Sequence, residues 1–146
     1  MGVPINYLAV LAAAVSSMVV GYIWYGPLFG KQWMAAVCPD PMQMEQMKAK
    51  MKAQGGMGKS YGLMFVGSLL MAYTLAHALV FASTYLKAWG FSAGLMAGFW
   101  NWLGFIAPVL FSAVLWENKS MKAYVLNAGY YLVTLCVMGV ILAVWQ

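Results

Sequence analysis

The chain has 146 residues, of which 64% are hydrophobic and 8% are charged, and eight lysines against three acids give a formal net charge of +5. Because soluble domains have about a quarter of their residues charged, this composition excludes an ordinary soluble domain. The lysines lie between long apolar stretches, which favours an anionic lipid surface over nucleic acid as their counter-charge.

Four long stretches of the chain contain no Asp, Glu, Lys or Arg: residues 5–29, 61–86, 93–116 and 123–145. Each exceeds the ~20 residues that a helix needs to cross the hydrocarbon core of a bilayer. The pattern predicts an all-α membrane protein, a single domain over residues 1–146 with four transmembrane helices. The segment 30–60, between the first two spans, is expected to lie at the membrane surface.

The lysines are divided very unequally between the two sides of the predicted bundle. Two connections on one side hold seven lysines, and the connection on the other side holds only Lys87. The seven are Lys31, Lys48, Lys50, Lys52, Lys59, Lys119 and Lys122. Because cytoplasmic connections are enriched in Lys and Arg, we predict that segments 30–60 and 117–122 are cytoplasmic and that both termini are outside.

Residues 40–55 have the pattern of a short cytoplasmic amphipathic helix. Asp40 suits the N-cap and Pro41 the first helical position, and a glycine pair at 55–56 ends the helix. Three methionines recur at helical spacing on one face: Met44, Met47 and Met51. The lysines expected to reach lipid phosphates here are Lys31, Lys48 and Lys52. We therefore predict an interfacial helix that lies on an anionic inner leaflet.

The methionine-rich segment also raises the alternative of copper handling, since thioethers are soft ligands that suit Cu(I). Against this, lysines alternate with the methionines and no His or Cys pair is near in the sequence. Cys38 and Cys136 belong to different segments, a loop and the fourth span, and are expected to be free thiols. We predict no metal site and no cofactor.

Small residues at helical spacing predict close packing between spans. Gly90, Gly94 and Gly98 form one ladder on the third span, and Gly104 extends its packing face. Ala13, Ser17 and Gly21 form a second ladder on the first span. Four tightly packed helices, or a dimer of them, follow. The sequence leaves open which ladder is internal and which faces another protomer.

His77 is the single histidine of the chain, and it lies nine residues inside its span, roughly 13 Å deep. Ionisable groups at such depth usually face the bundle interior and indicate function. Asn101 has a similar depth, and Ser17 and Thr134 are near the midplane, so these four side chains are candidates for one polar, ligand-binding cluster. The alternative is a neutral imidazole that hydrogen-bonds between helices.

A second group of candidates lies in the cytoplasmic half. Asn127, Tyr131 and Thr134 share a face of the fourth span, and Tyr130 is expected to point elsewhere. Trp24 and Tyr25 reach the same level from the first span. Aromatic rings with a few amides at one depth are typical of a pocket for a small aromatic molecule. The same residues would equally form an interfacial aromatic belt.

The spans contain no acidic residue, and a single histidine offers no partner for an acid/base pair. We predict that the protein is not an enzyme.

The segments GYIWYGPLFGKQW, WLGFIAP, LWENK and NAGYYLV resemble the bacterial domain-of-unknown-function 1761 family, and the likeness extends over nearly the whole chain. The matching positions are Gly21, Trp24, Tyr25, Pro27, Gly30, Lys31, Trp33, Gly104, Phe105, Glu117, Asn127, Gly129 and Tyr130. The resemblance implies a small, four-span protein of the bacterial inner membrane and implies no particular activity.

Two functional hypotheses follow. In the first, a small homo-oligomeric membrane protein binds or passes a small neutral or aromatic solute between its helices. The path would be lined by His77, Asn101, Asn127 and Tyr131, with Trp24 and Tyr25 at its cytoplasmic mouth. In the second, the protein is a non-catalytic accessory or assembly subunit that packs against a larger membrane complex through its glycine ladders.

Overall fold

A computed structural model describes residues 4–145; residues 1–3 and 146, which the predicted domain 1–146 includes, lie outside the described residues. The described part is helical throughout, with short connections and no strand. The α-helices are α1 (Tyr7–Ile23), α2 (Gly30–Val37), α3 (Pro41–Ala53), α4 (Gly56–Leu86), α5 (Gly90–Asn101), α6 (Ala107–Trp116) and α7 (Met121–Val144). Two π-helical turns, Trp24–Leu28 and Trp102–Ile106, continue α1 and α5.

Four continuous helical stretches are long and apolar enough to cross a membrane: Tyr7–Leu28, Gly56–Leu86, Gly90–Trp116 and Met121–Val144. This confirms the prediction of an all-α, four-span membrane protein. The second stretch begins five residues earlier than expected. The reason is that only Gln54 and Gly55 separate α3 from α4, because the left-handed conformation of Gly55 (φ 102°) turns the chain out of α3 within two residues.

The two ends of the bundle differ in charge. One end, the lysine-rich end, holds α2, α3, the start of α4, the turn between α6 and α7 and the start of α7, and therefore all lysines except Lys87. At the opposite end, Asn6 accepts hydrogen bonds from the first turn of α1 through its side-chain oxygen. Its amide also donates to the carbonyl of Trp145 at 2.9 Å, which fastens the start of α1 to the end of α7.

Helix α7 is the central element, since it packs against α1, α4 and α5, and α4 packs in turn against α1 and α5. The closest approach is between α5 and α7. A methyl group on Gly94 would overlap the backbone carbonyl of Gly139, and one on Gly98 would overlap the carbonyl of Leu135. The Gly94–Gly98 ladder is therefore internal, because only glycine lets these two backbones approach so closely.

The other predicted packing residues divide into two groups. Ala13 is fully buried, and Gly21 faces the ring of Tyr130. Gly90 and Gly104 have no neighbour within 4 Å of where a Cβ would stand, so within the described chain they do not pack as expected. Gly90 instead has a positive φ of 74° and starts α5, a conformation that glycine adopts without strain.

The half of the bundle away from the lysine-rich end has a tightly packed core. It consists of small and medium side chains from α1, α4 and α7: Ala9, Val10, Ala13, Ala14, Ala72, Leu75, Ala76, Leu79, Leu135, Met138 and Leu142. Alanines on α1 and α4 let these helices lie close together, as small residues do in membrane bundles. This core does not extend into the lysine-rich half of the bundle, and a cavity lies there.

Helix α3 (Pro41–Ala53) forms within the segment for which the sequence predicts a helix. The Asp40 carboxylate accepts from the backbone N–H of Met42 at 3.2 Å and caps its start. Met44, Met47 and Met51 are its half-buried residues, whereas its other positions, including Lys48 and Lys52, are exposed like Lys31. The buried thiol of Cys38 lies 3.7 Å from the sulphur of Met47, so the methionine face packs on the end of α2.

Both π-helical turns begin with the pattern Trp-x-Gly and occur next to a proline. Pro27 lies inside the first turn and Pro108 follows the second. A proline has no N–H to continue the hydrogen-bond ladder, and a wider turn is one way in which a helix passes it. Each turn also presents its first residue to α7: the indole N–H of Trp24 donates to Leu126 O at 3.1 Å and that of Trp102 to Ala128 O at 2.8 Å.

Candidate functional site

A cavity of about 470 Å³ opens in the lysine-rich half of the bundle, between α1, the start of α4 and the first half of α7. We call it the tyrosine cavity after the five tyrosines among its lining residues, which are Ser17, Met18, Gly21, Tyr22, Tyr25, Gly26, Tyr61, Met64, Leu110, Asn127, Tyr130 and Tyr131. None of the residues that line it carries a charge. Tyr22 and Tyr61 are exposed and form its rim, whereas Tyr130 is buried at its back.

Asn127 joins three helices at the edge of the cavity. Its side-chain oxygen accepts from the hydroxyl of Tyr25 at 2.7 Å and from the indole N–H of Trp33 at 3.2 Å. Since an indole N–H can only donate, the atom that faces Trp33 must be the amide oxygen. The amide nitrogen of Asn127 has no acceptor among residues 4–145 and remains available as a hydrogen-bond donor to a ligand.

Tyr130 is a central residue of the cavity. It is 4% exposed, and its hydroxyl donates to the backbone carbonyl of Ser17 at 3.3 Å. Its ring centroid lies 5.1 Å from that of Tyr25 and 4.9 Å from that of Tyr131, both in tilted or edge-on geometry. Gly21 makes room for the ring, because a methyl group there would stand 3.3 Å from the Tyr130 hydroxyl.

The expectation that Tyr130 points elsewhere is wrong. Asn127, Tyr130, Tyr131 and Thr134 are separated by three, one and three residues, and positions i, i+3, i+4 and i+7 share one face of a helix. This helical spacing was the signal from which Tyr130 could have been predicted to face the same side as Asn127 and Tyr131.

Ser17 closes the inner end of the cavity. Its hydroxyl lies 2.7 Å from the hydroxyl of Ser68 on α4, and both side chains are at most 3% exposed. Directly beyond them begins the core of alanines described above, with Ala13, Ala14 and Ala72 fully buried. The cavity therefore ends at the level of Ser17 and does not continue to the opposite end.

Trp24 does not line the tyrosine cavity, although its neighbour Tyr25 does. Its indole packs on Gly129, where a methyl group would stand 3.1 Å from the ring, and its N–H donates to Leu126 O. Trp24 therefore holds α1 against α7, and we assign it a structural contact.

His77, Asn101 and Thr134 do not line the tyrosine cavity. Nδ1 of His77 lies 2.9 Å from the carbonyl of Tyr73 one turn earlier, so Nδ1 carries the proton, and its ring packs on the Tyr73 ring. The amide of Asn101 donates to Ala97 O in its own helix. Thr134 is fully buried behind the cavity, next to the hydroxyl of Tyr130.

The chemistry that the cavity offers is non-covalent. Tyrosine rings provide faces and edges for stacking, and the hydroxyls with the Asn127 amide provide hydrogen bonds. Residues 4–145 contain no group of three His, Cys, Asp or Glu side chains arranged to hold a metal ion.

Four spans around a neutral, aromatic cavity define a small multi-pass membrane protein. The chain belongs to the family described as "Protein of unknown function (DUF1761)", whose profile matches residues 8–143. This match confirms the resemblance seen in the sequence. No curated protein and no solved structure matches the chain.

Proposed function

We propose that the protein binds a small, neutral, aromatic molecule in the tyrosine cavity. The observation that carries the proposal is the cavity itself: a half-open volume of about 470 Å³ lined by five tyrosines and one amide. Small-molecule sites in proteins typically measure ~300–1,000 Å³ and combine an aromatic wall with a few polar groups that fix orientation.

The lining residues define the class of ligand. Because the lining carries no charge, an ionic ligand would lose its hydration without gaining a counter-ion, which favours a neutral molecule. Tilted pairs of Tyr25, Tyr130 and Tyr131 rings offer aromatic contact surface. The free amide nitrogen of Asn127 favours a ligand with an acceptor, such as a carbonyl oxygen, next to its aromatic ring.

Binding is better supported than passage across the membrane. Ten residues of α1 lie between Asn6 and Ser17, a rise of roughly 17 Å, and this stretch packs into the alanine core. A molecule that passed through would have to separate α1 from α4 and α7.

The hypothesis of an accessory subunit predicted that the glycine ladders contact another protein. The Gly94–Gly98 ladder is not free for such a contact, because α7 of the same chain packs on it.

We further propose that the lysine-rich end faces the cytoplasm of a bacterial cell, at its inner membrane. Seven of the eight lysines lie at this end, and cytoplasmic connections carry such an excess. The exposed Lys31, Lys48 and Lys52 then lie beside an anionic leaflet, with α3 on the membrane surface. In this orientation the rim of the tyrosine cavity is reached from the cytoplasmic half of the bilayer.

The test uses tritiated benzophenone, a neutral aromatic ketone, kept in the dark with the protein in nanodiscs, and empty nanodiscs correct for partition into lipid. We expect saturable binding that Asn127→Leu weakens about tenfold, since it removes the donor and releases Tyr25 and Trp33. Tyr85→Phe, a change at a side chain that is 78% exposed at the opposite end, is the matched control and leaves binding unchanged.

A second comparison tests the neutral lining. Benzophenone-4-carboxylate, which differs by one negative charge, is expected to bind far more weakly than benzophenone. Equal binding of the two probes, or no binding above empty nanodiscs, contradicts the proposed function.

A further inference from the structure

A second, separate opening lies on the lipid-facing side of the bundle, between α4 and α5. This crevice has a volume of about 380 Å³, and Leu135 of α7 forms part of its lining. Its other apolar walls include Met71 and Leu75 of α4 and Phe105 and Ile106 of the second π-helical turn. It shares no lining residue with the tyrosine cavity, and its exposed Phe105 lies where the hydrocarbon chains of the bilayer would be.

Two polar side chains line this crevice at the same depth in the membrane. Asn101 is eleven residues from the start of α5, roughly 17 Å, and Thr74 is twelve residues from the end of α4, roughly 18 Å. Both distances exceed half the thickness of a hydrocarbon core of ~30 Å, so the pair lies close to the midplane. At this depth no water is present to satisfy polar atoms.

The hydrogen bonds of Asn101 show which of its atoms is free. Its side-chain nitrogen donates to the carbonyl of Ala97 at 2.8 Å, and since a carbonyl only accepts, the assignment of that atom as nitrogen is fixed. The side-chain oxygen of Asn101 has no donor within the described part of the chain. It therefore remains as an unused acceptor on the wall of an apolar crevice.

Thr74 lacks the backbone hydrogen bond that two other hydroxyl residues of the same helix make. Ser83 and Thr84 both donate to the backbone carbonyl of Val80, at 2.9 and 2.8 Å, which is how hydroxyls are usually satisfied in membrane helices. Thr74 makes no such bond in the described structure, so its hydroxyl is available to donate and to accept.

We propose that this crevice binds a lipid alcohol, a long apolar molecule with a hydroxyl group. The ligand hydroxyl donates to the side-chain oxygen of Asn101 and accepts from the hydroxyl of Thr74, while its hydrocarbon part lies against Met71 and Phe105. A ketone or quinone can accept from the Thr74 hydroxyl but cannot donate to the Asn101 oxygen, so it would make one hydrogen bond fewer than an alcohol in the same pose. The opening toward the bilayer explains how such a ligand enters.

The probe is a sixteen-carbon alcohol with a photoreactive diazirine three carbons from its hydroxyl, incorporated into nanodiscs with the protein. Its methyl ether, which cannot donate, is the matched probe. After irradiation, modified peptides are identified by mass spectrometry. We expect the alcohol to label residues 70–75 and 101–106 about three- to tenfold more than the ether, the factor that one or two hydrogen bonds within a membrane contribute.

Two near-isosteric variants, Asn101→Leu and Thr74→Val, are expected to abolish the difference between alcohol and ether. Ser112→Ala, which removes a hydroxyl that bonds to its own helix at Val109 O, is the control and preserves it. Equal labelling of the wild-type protein by the alcohol and its methyl ether would by itself overturn the proposal.

Discussion

Trp33 of α2 and Asn127 of α7 are joined by a hydrogen bond of 3.2 Å, from the indole N–H to the side-chain oxygen. The same oxygen accepts from Tyr25 at 2.7 Å, and the rings of Tyr25 and Trp33 pack edge to face at 5.4 Å. A single acceptor thus links α1, α2 and α7. Helix α2 does not belong to the four spans, and this contact holds it at the edge of the tyrosine cavity.

Trp33→Phe should loosen α2 and leave the bundle intact, because it removes the hydrogen bond and keeps an aromatic ring. One net hydrogen bond contributes about 1 kcal/mol, so amide hydrogen exchange in α2 should rise about fivefold while exchange in α7 stays unchanged. Trp89→Phe, at a side chain 65% exposed at the opposite end, is the control. Unchanged exchange in α2 would show that the contact does not position the helix.

Gly94→Ala should destabilise the fold, because its methyl group meets the backbone of Gly139, which cannot move aside as a flexible side chain could. Overpacking of this kind costs about 2 kcal/mol or more, measurable by equilibrium unfolding in mixed detergent. Gly104→Ala adds the same methyl group to open space and should leave the free energy of unfolding nearly unchanged. Equal effects of the two substitutions would contradict the assigned packing of α5 against α7.

Ser17 and Ser68 should show an energetic coupling, since their hydroxyls meet at 2.7 Å between α1 and α4. Interhelical hydrogen bonds in membrane proteins contribute about 0.6 kcal/mol in double-mutant cycles. The cycle of Ser17→Ala, Ser68→Ala and the double variant, followed by unfolding, measures this coupling. If the two single substitutions change the free energy of unfolding by strictly additive amounts, this contact does not stabilise the inner end of the cavity.

Cysteine labelling in intact cells should reveal which end of the bundle faces the cytoplasm. In a background with Cys38 and Cys136 replaced by alanine, we expect Ser92→Cys to react with a membrane-impermeant thiol reagent and Gln54→Cys to be protected until the cells are opened. Both positions are exposed, so access to the protein surface does not differ between them. The reverse pattern would place the lysine-rich end outside.

Much of the fold is predictable from the sequence because it depends on local, additive signals. The spans follow from uninterrupted apolar length, and the start of α3 follows from Asp40 and Pro41, whose roles depend on their immediate neighbours. The internal position of the Gly94 ladder was not predictable. Small residues indicate close packing, but whether the partner is the same chain or another depends on the three-dimensional arrangement.

The candidate site was predictable only in part. Ser17, Tyr25, Asn127 and Tyr131 line the cavity, as their type and depth indicated. Trp24 packs away from it, on Gly129 and the Leu126 carbonyl of α7, a contact that its type and depth did not indicate.

The local hydrogen bond of His77 was not predictable for a different reason. Depth alone suggested an interior role, but the imidazole bonds to a carbonyl of its own helix, at Tyr73, and needs no partner on another span. Hydrogen bonds of this local kind are compatible with almost any orientation of a helix, so they leave no pattern in the sequence.

The most direct test of the central claim is to irradiate the protein in nanodiscs with bound benzophenone and to map the modified residues by mass spectrometry. The tyrosine cavity predicts adducts on its lining residues, such as Met18 and Met64, and their loss in Asn127→Leu. Adducts spread over lipid-facing residues such as Leu63 and Val66, with equal yield in the variant, would contradict a ligand site between these helices.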